Sequence, residues 1–212
     1  MKPTLLDPVS RISEILFGLL MALTFTTTLN LVDTGLTQAR AMFHAALGCN
    51  IAWGIVDAVM YLVRLKIERS HRVLIWRRVH AADAETGRRL LAAELGTLPV
   101  LQLSPTDIEG LRQCLLGAGP PPARVPLAPR DYAAAGAVFM LVAGATLPVA
   151  LPFLLLTDLQ LAMRVSGALA IAMMMGSGVA LGFYAGLHPL RTGLAMLALG
   201  ASLVATTLVF GG

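Results

Sequence analysis

The sequence is poor in charged residues, in aromatic residues and in cysteine. Only 13% of its 212 residues are Asp, Glu, Lys or Arg, whereas 57% are hydrophobic, and the mean hydropathy is +0.76. Soluble domains carry about 25% charged residues, so this chain cannot cover a water-soluble globule of its size, which excludes an ordinary soluble enzyme. The two cysteines, Cys49 and Cys114, form no Cys-x-x-Cys pair, so neither a zinc site nor a disulfide framework is indicated.

The sequence also lacks the short motifs that mark catalytic sites. It contains no His-Glu-x-x-His, no Walker phosphate loop, no Gly-x-Ser-x-Gly elbow and no dinucleotide fingerprint. We therefore expect no enzyme activity. The net charge is +4. In so hydrophobic a chain, an excess of basic residues is more typical of loops at one membrane face than of nucleic-acid binding. We therefore expect no nucleic-acid partner.

Long apolar runs are what the chain has in abundance. A bilayer core about 30 Å thick requires about 20 mainly apolar residues per helix. Five runs meet this requirement, at residues 15–32, 41–63, 132–157, 165–187 and 192–212, and Asp57 is the only Asp, Glu, Lys or Arg within them. We predict an all-α integral membrane protein with five transmembrane helices in a lipid bilayer, and a small helical cytosolic insert between the second and third.

The basic residues predict the orientation of these helices. In the five-span arrangement, 14 of the 16 Lys and Arg residues fall on one side, and only Arg40 and Arg164 fall on the other. The positive-inside rule then places the N-terminus in the cytosol and the C-terminus outside. Arg far outnumbers Lys, a habit of GC-rich bacterial genomes, so we expect a bacterial inner membrane. The predicted regions are 1–64 with helices 1 and 2, 65–130 as the insert with its Pro-rich linker, and 131–212 with helices 3 to 5.

Three helices are predicted within the insert, at residues 65–82, 83–95 and 104 to about 116. The third has the clearest start signal, since Ser104 suits the N-cap, Pro105 the first helical position and Asp107 the first turn. An insert of this size is too small to bury enough surface alone. We expect it to pack on the membrane helices or on a partner chain.

Asp57 is the leading candidate for a functional residue. An ionised carboxylate at membrane depth costs about 2.5–3.5 kcal/mol on insertion scales, so such residues usually mark ion or proton paths. Asn50, Trp53, Tyr61 and Arg64 lie on the same helical face, which makes a polar stripe. The alternative is a structural pair between Asp57 and Arg64 or a threonine of the first span.

Three further residues of the first two spans could line a path. Glu14, at the cytosolic mouth of the first span, would be an entrance ligand, or it would simply pair with Arg11 at a helix start. Met21 and Met60 could offer thioether ligands to a soft metal. For the methionines in general, including the run at 173–175, core packing is the alternative.

The insert carries carboxylates and imidazoles that suit hard or borderline metal ions. Glu68 and His71 are three residues apart on one predicted helix, a usable ligand spacing, and Glu85 and Glu94 follow on the next. The alternative for each is a solvated surface charge.

Two patterns in the later spans concern packing. Gly178, Gly182 and Gly186 are four residues apart, which predicts a close helix contact within the bundle or across a dimer. Pro148 and Pro152 are expected to open the backbone hydrogen bonding of the third span, and the freed carbonyls require protein or a wet cavity beside them.

The span count, the orientation and the insert together resemble the vacuolar iron transporter family. The opening stretch Glu14-Ile-Leu-Phe-Gly18 looks like the family's first-span motif, Asn50-Ile-Ala-Trp-Gly54 through Asp57 looks like its second-span motif, and residues 147–152 are similar to its paired-proline third span. In this comparison Met21 stands where the family has an aspartate, Asn50 where it has a glutamate, and Asp57 one position before its serine. The resemblance implies a homodimeric carrier that moves Fe²⁺ or Mn²⁺ out of the cytosol in exchange for protons, with the metal as cargo and no permanently bound cofactor.

These observations lead to one main hypothesis and one rival. The main hypothesis is a carrier for divalent metal cations in which Asp57 is the deep site, Asn50, Met60 and Met21 are auxiliary ligands, and Glu14 with the insert residues Glu68, His71, Glu85 and Glu94 collects ions at the cytosolic face. The rival is a membrane protein that transports nothing and binds a cytosolic partner protein through residues 65–130.

Overall fold

A computed structural model describes residues 6, 8–28, 36–96 and 103–210, with no account of the side chains of 25–28, 36–39, 41, 42, 207, 208 and 210. This part of the chain is helical and contains no strand. Its helices are α1 (Pro8–Thr28), α2 (Leu36–Ala81), α3 (Ala84–Leu95), α4 (Pro105–Gly117), α5 (Pro129–Ala150), α6 (Pro152–Leu155), α7 (Leu159–Tyr184) and α8 (Pro189–Phe210).

Four helical stretches of the described chain are long and apolar enough to cross a membrane. They are Phe43–Ala81, Pro129–Leu155, Leu159–Tyr184 and Pro189–Thr206. The prediction of an all-helical chain with membrane-crossing helices is thereby confirmed, and these four coincide with the second to fifth predicted spans. The first predicted span, 15–32, overlaps α1, but residues 29–32 and the start of the following loop lie outside the described residues.

The chain divides into two compact units, one made of Met1–Tyr61 with Pro129–Gly212 and the other of Leu62–Ala128. In the first unit, α1 packs against α5, α7 and α8. Gly18 permits the contact with α5, because a Cβ atom there would lie 2.7 Å from the Val142 carbonyl oxygen. The buried centre of this unit is apolar: Ile12, Leu16, Leu19, Ala22, Leu23, Ala145, Val149, Ala170 and Met174.

The glycine pattern of the fourth predicted span is confirmed at two of its three positions. A Cβ atom at Gly178 would lie 2.7 Å from the Met196 side chain, and one at Gly182 would lie 2.6 Å from Pro189 Cα, so both glycines allow α7 to pack closely on α8. The prediction was wrong for Gly186. That residue lies in the turn after α7 with φ +69° and has open space around its Cβ position, so its conformation, not close packing, favours glycine there.

The paired prolines interrupt the third predicted span. Pro148 lies inside α5, α5 ends at Ala150, and Pro152 begins the short helix α6. A proline has no N–H to donate and its ring crowds the preceding turn, which accounts for the break. The methionine run of α7 is part of the packing, since Met174 is fully buried in the core and Met173 packs against it.

The second unit contains the end of α2 together with α3 and α4. Asp83 caps α3 by accepting from the Thr86 backbone N–H at 2.7 Å. Ser104 and Asp107 form a reciprocal capping box at the start of α4, with Pro105 in its first turn. Both helix starts are confirmed as the sequence predicts them, because the signals are local.

Candidate functional site

The candidate site lies on α2, along the side that faces the rest of the first unit. Asn50 and Gly54 are buried there, and Asp57 and Tyr61 are half-buried. These residues recur every three or four positions, so they share one helical face. Within the stripe, Trp53 is 41% exposed at the edge and makes an edge-to-face contact with Phe17 of α1, with ring centroids 6.3 Å apart.

Gly54 determines how closely α2 approaches α5. A Cβ atom on Gly54 would lie 3.0 Å from Cδ2 of the Phe139 ring and 3.3 Å from the Phe139 carbonyl oxygen. Tyr61 packs at the same interface, against the cluster of Leu6, Ala134 and Val138. Asp57 lies between these two contacts along the helix.

Asn50 has an unsatisfied acceptor in a fully buried position. Its side chain has no exposed surface, and its Nδ2 donates a long hydrogen bond of 3.4 Å to the Ala46 carbonyl oxygen. Among the residues that the structure describes, nothing donates to Asn50 Oδ1. A buried amide oxygen without a donor is unfavourable, so this atom is an available ligand.

Asp57, two turns further along α2, also has a buried oxygen atom with no donor among the described residues. Its Oδ2 atom is shielded from solvent and has no hydrogen-bond donor in the described part of the chain. Burial of a carboxylate oxygen costs free energy unless a proton, a donor or a cation compensates it. A pair with Arg64 is not seen among the described contacts, and the alternative of a threonine at 26–28 lies outside the described side chains.

Asn50 and Asp57 are too far apart to hold one ion together. Seven helical residues correspond to about 10 Å of rise, whereas oxygen ligands lie about 2.0–2.6 Å from a divalent cation. The two oxygens are therefore successive positions along one face of α2. Tyr61 continues that face by another turn.

The other residues predicted for the path are spread over the surface and the core. Met60 is 55% exposed, and Met21 and Glu14 are half-buried on α1. No group of three or more His, Cys, Asp or Glu residues that could hold a metal ion occurs within the described ranges. Among the described residues, no second acidic side chain joins Asp57 in a metal-binding group.

The predicted ligands of the insert have separate partners. His71 Nε2 and Glu94 Oε1 lie 3.1 Å apart and join α2 to α3, although they are 23 residues apart in the sequence. Glu85 forms ion pairs with Arg88 at 2.8 Å and with Arg89 at 3.0 Å. Glu68 lies 3.8 Å from Arg72 on an exposed face, so its spacing with His71 does not form a shared site.

Sequence reasoning missed the ionic junction between α3 and α4. Glu109 accepts two hydrogen bonds from Arg112, at 2.8 and 3.0 Å, and one from Gln113 at 2.7 Å. These bonds, that of Arg112 foremost, lower the pKa of Glu109 from 4.5 to about 2. Arg88 of α3 lies 3.4 Å from the same carboxylate. The spacings of three and four residues on α4 were a local signal for the bonds within that helix.

Arg112 is the buried member of this junction. Its side chain is only 10% exposed, and a Cβ atom on Gly87 would lie 3.2 Å from Arg112 Cδ. The stem of Arg112 therefore packs over Gly87 of α3 while its guanidinium group binds Glu109. This junction stabilises the second unit.

Comparison with protein-family models and with curated proteins gives no match to this sequence.

Proposed function

We propose that this chain is a membrane carrier for divalent metal cations, iron or manganese, that exports them from the cytosol in exchange for protons. The observation that carries the proposal is the pair of buried oxygens on α2, Asn50 Oδ1 and Asp57 Oδ2, for which the described chain supplies no donor. Carboxylate and amide oxygens are suitable ligands for Mn²⁺ and similar cations. A carboxylate that alternates between a proton and a cation is a simple means of coupling the two.

The proposed arrangement is that of the vacuolar iron transporter family. It has five transmembrane helices with α1 as the first, a cytosolic N-terminus and insert, a C-terminus outside, and the bacterial inner membrane as its location. The four apolar helices support the membrane assignment, and the excess of Lys and Arg on one side of the five-span arrangement supports the orientation. Asn50 and Asp57 are at or near the positions where the family has polar residues.

We further propose that the carrier is a homodimer. A single carboxylate cannot neutralise a divalent cation, so a second copy of the chain could supply part of the missing charge. The lipid- or partner-facing side of α2 is apolar, with Ile55, Val59 and Met60 each more than half exposed. This surface suits either lipid or a second α2.

The insert would serve as the collecting surface for ions before they enter the path. Its exposed Glu68, Glu85 and Glu94 can concentrate cations near the membrane without binding them tightly, because each already has a basic partner. Glu14, near the start of α1, would act at the entrance. Met21 and Met60 remain proposed as auxiliary thioether ligands.

The experiment that tests this proposal is ion flux into proteoliposomes. Purified protein is reconstituted, and uptake of Fe²⁺, Mn²⁺, Co²⁺ and Zn²⁺ is compared with and without a pH gradient. The proposal predicts flux of Fe²⁺ or Mn²⁺ that increases with an opposing proton gradient and is lost in Asp57→Asn. Absence of flux for every ion, with folded protein in the vesicles, would contradict it.

A second candidate function is that of a membrane protein that transports nothing and binds a partner protein through residues 65–130. The observation in its favour is the apolar exposure in the insert, where Ile67 is 62% and Leu74 and Leu111 are each 42% exposed. The two functions predict that different variants abolish activity in cells. Loss of function on deletion of the insert, with Asp57→Asn unimpaired in cells challenged with metal, would favour the partner-binding function.

A further inference from the structure

A groove at the start of α1 combines one cationic side chain with apolar walls. It has a volume of about 310 Å³ and is lined by Leu6, Arg11, Ala137, Met140 and Leu141. Four of these five side chains are apolar, and Met140 is 65% exposed. The groove lies between the beginning of α1 and α5, and the proposed ion path along α2 does not use it.

A hydrogen bond to a nearby backbone carbonyl holds the Arg11 side chain at this groove. Its Nε donates a 3.1 Å hydrogen bond to the Leu6 carbonyl oxygen, and Leu6 is 5% exposed and packs on Ala134 and Val138 of α5. Within the described chain this is the one hydrogen bond that Arg11 makes, and no carboxylate lies within ion-pair distance of its guanidinium group. Its terminal nitrogens therefore have no partner among the residues that the structure describes.

The setting of this guanidinium group favours an anion. Ala137, Met140 and Leu141 belong to one of the four stretches that are long enough to cross a membrane. A charged group beside the apolar part of a bilayer is unfavourable unless it is paired or reaches the interface. The planar guanidinium fork matches the oxygen atoms of a phosphate, with which it forms short charge-assisted hydrogen bonds.

We propose that this groove binds an anionic phospholipid, with the lipid phosphate on Arg11 and an acyl chain along Met140 and Leu141. The apolar walls distinguish a lipid from a soluble phosphate, because a small hydrated anion gains nothing from contact with them. The cation distinguishes an anionic lipid from a zwitterionic one, whose ammonium group would be repelled by the guanidinium group. The site is independent of which ion, if any, the protein transports.

Native mass spectrometry of the detergent-purified full chain tests this proposal. Phosphatidylglycerol and phosphatidylcholine with identical acyl chains are added, and the bound fraction of each is measured. We expect wild-type protein to retain the anionic lipid, and Arg11→Gln to weaken its binding about tenfold, the loss expected for a charge-assisted hydrogen bond. Arg191→Gln, an equal charge change at the start of α8, is the matched control and should bind as wild type does.

A second variant separates the apolar part of the site from its charge. Met140→Trp fills the groove from an exposed position and leaves Arg11 in place, so it should also weaken phosphatidylglycerol binding while the helical circular dichroism signal is unchanged. Equal retention of the two lipids, or Arg11→Gln behaving like Arg191→Gln, would overturn the proposal. Displacement of phosphatidylglycerol by millimolar inorganic phosphate would also overturn it, because the site would then be one for a soluble anion.

Discussion

The hydroxyl group of Ser166 on α7 donates a 2.6 Å hydrogen bond to the carbonyl oxygen of Val149 on α5. Both residues are fully buried, and Val149 lies between the prolines of the interrupted span, Pro148 and Pro152. Neither proline can donate to the carbonyl oxygen four residues before it, and α5 ends one residue after Val149, so backbone bonding is interrupted in this turn. Carbonyl oxygens that lose their helical donor are tolerated at membrane depth only beside protein or a wet cavity. The bond therefore joins α5 to α7 at the point where α5 is weakest.

Replacement of this hydroxyl group should weaken the protein. We expect Ser166→Ala to lower the free energy of unfolding by about 1 kcal/mol, the upper part of the range for hydrogen bonds between membrane helices. Reversible unfolding of the full chain in mixed micelles measures this change. Ser202→Ala is the control, since Ser202 is exposed and bonds within its own helix, and a similar loss there would contradict the role of the Ser166 bond.

The close packing of α7 on α8 gives a second prediction. Gly182→Ala places a methyl group 2.6 Å from the Pro189 backbone, so the helices must separate, and we expect a loss of about 1–3 kcal/mol in the free energy of unfolding. Gly176 lies on the same helix with open space at its Cβ position. Gly176→Ala should therefore be neutral or slightly stabilising. Equal effects of the two variants in the same unfolding measurement would count against this packing.

The approach of α2 to α5 gives a prediction about the candidate site. Gly54→Ala brings a methyl group 3.0 Å from the Phe139 ring and 3.3 Å from its carbonyl oxygen. The ring can move by a few tenths of an ångström, so we expect the fold to persist, with a loss of about 1 kcal/mol and with slower metal flux because Asp57 is displaced. Gly48→Ala on the same helix meets no atom within 4 Å and should leave flux unchanged.

The ionic junction of the insert gives a pH prediction. The pKa of Glu109 is lowered to about 2 by the bonds from Arg112 and Gln113. A carboxylate with a lowered pKa in the folded state contributes stability that is complete above its unfolded value of 4.5 and is lost as pH falls toward about 2. The contact between α3 and α4 should therefore weaken between these pH values, and Glu109→Gln should remove part of that acid sensitivity.

Fluorescence of Trp76 reports this change, because its indole N–H donates to the Leu115 carbonyl oxygen of α4 at 3.3 Å. The titration is made in a Trp53→Phe background, which leaves Trp76 as the sole tryptophan of the chain. Glu68→Gln, at an exposed and loosely paired carboxylate, is the control. An acid transition identical in Glu109→Gln and in the unchanged protein would disprove the role of Glu109.

The sequence predicted those features of the fold that depend on local chemistry. Hydropathy predicted five spans, four of which match stretches long and apolar enough to cross a membrane. The cap at Ser104 predicted where α4 begins, and the helix predicted at 83–95 matches α3. Helix starts follow from backbone groups that a neighbouring side chain satisfies, so they are visible in a few residues. Asp57 could likewise be singled out from the sequence, because it is the only carboxylate side chain within the apolar runs.

Features that depend on tertiary contact were not predictable from the sequence. The pair of His71 and Glu94 joins residues 23 positions apart, and the burial of Arg112 depends on how α4 lies on Gly87. Gly186 had the spacing of a packing glycine, but its conformation is that of a turn. Each of these features depends on the distance between two elements of the fold. Residue spacing along a single helix gives no information about that distance.

The central claim is that Asp57 binds the transported cation, and one comparison tests it most directly. Initial rates of Mn²⁺ uptake are measured in matched proteoliposomes for wild type, Asp57→Asn and Asp158→Asn. Asp158 caps α7 through the N–H groups of Gln160 and Leu161, and asparagine caps helices equally well, so this control removes one charge and keeps the fold. We predict that Asp57→Asn lowers the rate about tenfold or more, because even the loss of a group that only orients a metal ligand costs about 10–100-fold, and that Asp158→Asn transports as wild type does. Equal rates in all three proteins would contradict the claim.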